Sequence, residues 1–163
     1  MSKSQSPAPV ALDDLDRALL HAVATDGEVT NKELAAQLGI AESTCAYRRR
    51  LLRERGVIGR ARTVVDPAAL GFPLQAVVTV RLGSHSKELV EDFYDAIVRT
   101  PRVLQVFHVA GSADFLVHVA VESPEMLRDM VLEHITVHRG VRQTETQLAF
   151  DVRQGVGVTG PET

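Results

Sequence analysis

Between Thr30 and Gly56 the chain reads as two helices with almost nothing between them. Thr30, Asn31, Lys32 and Glu33 have the spacing of a capping box, in which the Thr hydroxyl and the Glu carboxylate each satisfy a backbone N–H of the first turn. Leu34, Ala35 and Leu38 then share a face, and Gly39 ends the segment. After a three-residue turn, "IAE", the run Ser43–Arg55 has no Gly, Pro or β-branched residue beyond Thr44, and Gly56 stands where a helix end favours positive φ. So tight a connection predicts a helix-turn-helix.

The flanking sequence completes the unit. Leu12, Leu15, Leu19, Leu20 and Val23 recur at helical spacing, with Asp13, Asp14 and Asp16 where a helix N-terminus attracts negative charge. The β-rich "VIGRARTVV" follows the last helix, as a wing would. The order predicts a winged helix-turn-helix over 12–66, preceded by a flexible tail, 1–11.

Charge is concentrated in this unit. The chain as a whole carries −3, yet the segment Ser43–Arg62 holds seven arginines. Such a run on its own is ordinarily a solvated helix face. On the second helix of the pair, the one that enters the major groove, it is expected to be a nucleic-acid footprint. Cys45, Arg49, Leu52 and Gly56 fall on one side of that helix. Ser43, Tyr47 and Arg50 therefore point outward with Thr44, Arg48 and Arg53 flanking them, and Arg60 follows in the wing. Arginine forks onto a guanine edge or a phosphate, while Ser, Thr and Tyr hydroxyls reach phosphate or base. These seven residues are the expected contacts to double-stranded DNA.

"DPAALGF", Asp66 to Phe72, is punctuated by Pro and Gly and marks a hinge over 67–72. Beyond it, "LQAVVTVRL" reads as a strand, "SKELVEDFYDAIVRT" as a helix, "VLQVFHVAG" and "FLVHVAV" as strands, "SPEMLRDMVLEHI" as a helix with a Ser cap and Pro at its first position, and "QTETQLAF" as a last strand. The order βαββαβ over 73–153 predicts a ferredoxin-like antiparallel sheet with both helices on one face, followed by a tail, 154–163. The fold class is thus α+β. The uncovered sheet face is expected to carry Val78, Val80, Leu116 or their neighbours, and so to need a partner subunit.

The pattern "LD..D..IL..L", "LA...G.S", "R...L...GVI" and "P..LG" is met almost throughout Leu12–Gly71, and the chain resembles the Lrp/AsnC, or feast/famine, transcriptional regulators to about Arg153. Ala41 replaces the usual Ser-type cap, and Arg49 the usual inward aliphatic residue. The Arg49 stem is expected to snorkel, with a looser or slightly rotated helix around it. The resemblance implies a C-terminal RAM/ACT-like module that pairs sheets into homodimers, often assembled as octamers, and that binds an amino acid near a Gly-x-x-Asp turn.

In this sequence that turn is "AGSADF". Gly111 permits exposed amides that could hold a carboxylate, with Ser112 beside them, and Asp114 is the expected partner of an ammonium group. A plain β-turn would use the same residues. The resemblance adds Thr144 and Thr146 as polar ligand contacts. Other classes fare poorly. The single cysteine, Cys45, excludes a disulfide framework and a multi-cysteine zinc site. His108, His118, His134 and His138 suggest a metal site only weakly, so no metal and no cofactor is expected. No nucleophile elbow or phosphate-cradling Gly loop points to an enzyme. Apolar runs fall far short of the roughly 18 residues that span a bilayer, and "MSKSQSPAPV" has no signal core, so no membrane association and a cytoplasmic location are expected. The expectation is a DNA-binding regulator responsive to an amino acid; an architectural DNA binder without effector and a metal-responsive repressor are the alternatives.

Overall fold

The computed structural model describes residues 10–60, 63–155 and 157–159. They form two compact units: Val64–Val152 make one, and residues up to Thr63 together with those from Arg153 onward make the other.

The first unit holds helices α1 (Asp14–Thr25), α2 (Asn31–Leu38) and α3 (Glu42–Glu54). The Thr30 capping box forms as the sequence predicts, and the acidic start of α1, expected only as favourable charge, forms a second one. Thr30 accepts from Glu33 N while the Glu33 carboxylate takes the Thr30 N–H, and Asp13 and Asp16 form the same reciprocal pair at α1. α3 starts at Ala41, which offers no side-chain cap. Gly39 and Gly56, at φ 66° and 73°, end α2 and α3 in the left-handed conformation that glycine adopts without a Cβ clash. Leu19, Val29, Leu34, Ala35, Cys45 and Leu52 form the core, with Leu12, Val23, Ile40, Val57 and Ile58 packed around it. Cys45 is a buried hydrophobe, and burial pushes its thiol up from the ordinary range. No strand forms within 57–60 or 63–66; residues 61 and 62 of the expected wing lie outside the described residues.

The second unit runs β1 (Leu74–Leu82), α4 (Lys87–Ile97), β2 (Val103–His108), β3 (Phe115–Val121), α5 (Pro124–Met130) and β4 (Val141–Ala149). A 3₁₀ turn, Ala68–Leu70, precedes β1, and α5 widens into a π-helical turn, Val131–Thr136, before β4. The strand order is β2-β3-β1-β4 with every neighbouring pair antiparallel, the expected ferredoxin-like sheet. Ser caps open both helices, at Ser86 and Ser123.

The core of this unit corrects one expectation. Val78 and Val80 are fully buried against the helices, in a cluster with Phe93, Ile97, Phe115, Val117, Leu127 and Ile135. The pleat alternates, so Ala76, Val78, Val80 and Leu82 all turn inward and the open face receives Gln75, Val77, Thr79 and Arg81. Leu116 pairs with Thr79 and does lie on the open face, as does Phe107, its neighbour on β2. That face is mixed rather than uniformly apolar. No helix among the described residues is long and apolar enough to cross a membrane.

Candidate functional site

α3 presents two chemically distinct sides. Ser43, Thr44, Tyr47, Arg50 and Arg53 are exposed, while Cys45, Arg49 and Leu52 are buried. The Arg50 guanidinium carbon lies 5.6 Å from the centroid of the Tyr47 ring, and its Nε is 3.6 Å from Glu54, four residues on. These contacts among exposed groups are weak and can be exchanged for a phosphate. Arg60, beyond α3, is also exposed.

Arg48 differs. Its guanidinium donates to Asp13 at 2.7 Å and to Asp16 at 2.8 Å, the same two carboxylates that build the α1 capping box. The Asp16 amide and then Arg48 hold the Asp13 carboxyl below its ordinary value, while hydrogen bonds to Asp13 and Asp16 push Arg48 up. The structure therefore groups six of the expected DNA contacts as exposed side chains and commits Arg48 to an ion-paired tie between α1 and α3. Arg49 does not snorkel: it donates to the Val29 carbonyl at 2.8 Å and to Asn31 Oδ1 at 3.2 Å, and α3 stays regular around it.

At the other candidate site, Gly111 has φ 137°, a conformation side chains rarely adopt. The Asp114 carboxylate is fully engaged: Oδ2 accepts from Leu82 N at 2.7 Å and Oδ1 lies 2.8 Å from His85 Nε2. Its backbone is tied as well, with N donating to Val80 O and O accepting from Val109 N, both at 2.9 Å. Asp114 thus clamps the turn to the end of β1. Ser112 faces a small cleft of about 110 Å³ with Thr79, Arg81, Gln143 and Glu145. Thr144 and Thr146 pair with Val80 and Val78, so they turn to the helix side of β4, away from that cleft.

Comparison with known proteins is consistent across both units. Residues 12–53 match the AsnC-type helix-turn-helix domain and residues 75–154 the Lrp/AsnC ligand binding domain. The transcriptional regulator AldR of Mycolicibacterium smegmatis is 41% identical over 144 residues, which is 88% of this chain and 84% of that protein. The chain belongs to the Lrp/AsnC family. The leucine-responsive regulatory protein of Rhizobium meliloti is 34% identical over 86% of this chain and 90% of its own length. A Neisseria meningitidis transcriptional regulator, crystallised with L-Met, superposes with a TM-score of 0.84 at 24% identity, covering 93% of this chain and 97% of that one; at that identity the likeness shows the fold. The chain is therefore a transcriptional regulator and not an enzyme; its helix-turn-helix implies a DNA partner and its ligand-binding domain a small-molecule effector.

Sequence reasoning missed Arg81 and Glu145, the oppositely charged residues beside Ser112. Strand parity could have found both: they alternate with buried Val80 and Leu82 on β1, and with Thr144 and Thr146 on β4. The histidines are dispersed. His118 Nε2 lies 2.9 Å from Gln75 Oε1 and burial lowers its pKa; His108 stacks on Phe115 and His138 packs edge-on against Phe93. Among the described residues no three His, Cys, Asp or Glu side chains gather as a metal site.

Proposed function

We propose that this regulator binds a specific DNA sequence through the outer face of α3 and that an amino acid, held beside the Gly111–Asp114 turn, alters its DNA binding or its assembly. The DNA reading is supported by the exposed row Ser43, Thr44, Tyr47, Arg50 and Arg53 on α3 with Arg60 beyond it. Hydroxyls stand at the amino end, where helix amides also point, and arginines follow along the same face.

The effector reading is carried by one observation, the charge arrangement of the cleft. A zwitterion needs a cation for its carboxylate and an anion for its ammonium group. Arg81 and Glu145 line the same small cleft as the Ser112 hydroxyl. Among the described residues Glu145 takes part only in a 3.2 Å contact from Gln147, on its own strand, and Arg81 is in no ion pair. In this arrangement Asp114 shapes the turn, and Arg81, Ser112 and Glu145 meet the ligand. The L-Met of the Neisseria structure supports the same ligand class. The half-buried Val77 and Leu116 and the exposed Phe107 on the open sheet face support a homodimer, with octamers as the further assembly.

Thermal melting of the full chain against each of the twenty amino acids is the test. A ligand present at about 100 times its Kd should add about 2.7 kcal/mol to the folded state, and Glu145→Gln should abolish the gain. If no amino acid shifts the parent protein, the effector reading fails and the architectural DNA binder replaces it.

A further inference from the structure

We infer that the helix-turn-helix unit holds a second anion site, a phosphate cleft built on the buried Arg49. The cleft has a volume of about 510 Å³ and is lined by Arg49, Arg53 and Arg60 over an apolar floor that includes Val23 and Ile58; no carboxylate lines it.

Arg49 is the decisive member. It is 9% exposed, and its hydrogen bonds to the Val29 carbonyl and the Asn31 side chain go to neutral oxygens through one terminal nitrogen, Nη1. Its Nε is buried without a hydrogen-bond partner among the described residues. A buried guanidinium without a countercharge is costly, and an unsatisfied N–H adds to the cost. Two other arginines of α3 show what ordinary pairing looks like here: Arg48 is held by Asp13 and Asp16, and Arg50 reaches Glu54. Arg49, Arg53 and Arg60 form no ion pair among the described residues, yet they line one cleft.

A phosphate answers that arrangement. Its oxygens match the planar fork of a guanidinium, and a buried fork anchored through Nη1 to Val29 and Asn31 is already oriented, so little side-chain freedom is lost on binding. The phosphate group can belong to the DNA backbone or to a free ion, and the chemistry of the cleft is the same for both. In its duplex form the inference rests on the DNA reading above; in its free form it does not.

Two measurements on the full chain separate the sources. Inorganic phosphate is titrated calorimetrically without DNA, against chloride at equal ionic strength, and duplex affinity is measured over a salt series. The variants are Arg49→Met, which keeps the stem and removes the charge, and Arg53→Gln/Arg60→Gln, whose changes are confined to exposed side chains and which serves if Arg49→Met does not fold. Saturable phosphate binding by the parent, weakened at least tenfold in the variants, assigns a free-anion site. Absence of free-phosphate binding, with a salt slope flattened by about 0.9 in Arg49→Met, assigns a backbone phosphate. Absence of phosphate binding with parental slopes in both variants overturns the inference. If Arg50→Ala still flattens the slope in that case, the DNA reading stands without it.

Discussion

Arg48 and Arg50 lie two residues apart on one helix and have opposite surroundings. Arg48 meets two carboxylates at hydrogen-bond distance, whereas Arg50 has a 3.6 Å contact with an exposed glutamate and the Tyr47 ring at 5.6 Å. A phosphate approaching Arg48 meets the negative charge of Asp13 and Asp16, whereas at Arg50 it meets solvent and weak exposed contacts. Arg50→Ala should therefore flatten the plot of log duplex affinity against log salt by about 0.9 and leave the thermal midpoint unchanged. Arg48→Ala should lower the midpoint and leave the slope at its parental value. The pH dependence follows from Asp13, whose carboxyl is held below its ordinary 3.8 in the fold. A depressed carboxylate stabilises above the unfolded value and loses that contribution as pH falls through the folded one. The midpoint difference between parent and Arg48→Ala should be complete at neutral pH and shrink only below about pH 4, which melts across a pH series would show.

At the scale of elements, α3 is, among the described residues of its unit, the one helix that begins without a side-chain cap, because Ala41 occupies the N-cap with the extended backbone that a serine would use. Ala41→Ser should add about 1 kcal/mol to unfolding free energy in urea with no change in m. The caps at Asp13, Thr30, Ser86 and Ser123 were all legible in the sequence, since each depends on residues within three positions of one another. So was the βαββαβ order, carried by periodicity within each segment. What escaped needed either parity or long-range contact. Parity was available: in "LQAVVTVRL" every second residue from Leu74 is apolar, and reading it strictly puts Val78 and Val80 inside. Val78→Ala should accordingly cost about 2 kcal/mol through lost burial and the cavity left behind, measured by chemical denaturation. The ties from Arg48 to Asp13, and from Asp114 to Leu82 and His85, span more than twenty-five residues, and no local pattern announces them. The same holds for the cleft at Arg49, whose side chain found partners on α2 and the segment before it.

For the whole molecule, recognising an effector and acting on it are separable. An effector changes DNA binding only through its differential affinity for two states of the protein, so a ligand held equally in both would bind and do nothing. The cleft between Ser112, Arg81 and Glu145 opens on the same sheet face as Val77, Leu116 and Phe107, so in the proposed homodimer a ligand there and a second subunit over that face would bear on one another. Two substitutions distinguish the roles. Glu145→Gln preserves shape and removes the charge that would meet an ammonium group; it should cost effector affinity about 2–5 kcal/mol and leave DNA affinity and oligomer mass at the ligand-free values whatever amino acid is added. Asp114→Asn, by contrast, disturbs a clamp: it weakens the contact to His85 and the tie to Leu82, so it should lower the thermal midpoint of the unliganded protein as well as reduce the response. Light scattering and duplex titration, with and without the amino acid found by melting, supply the comparison. A Glu145→Gln protein that responds like its parent would remove the charge pair as the ligand's seat. An Asp114→Asn protein with an unchanged midpoint and no response would return the ammonium to Asp114, with His85 as the group it displaces.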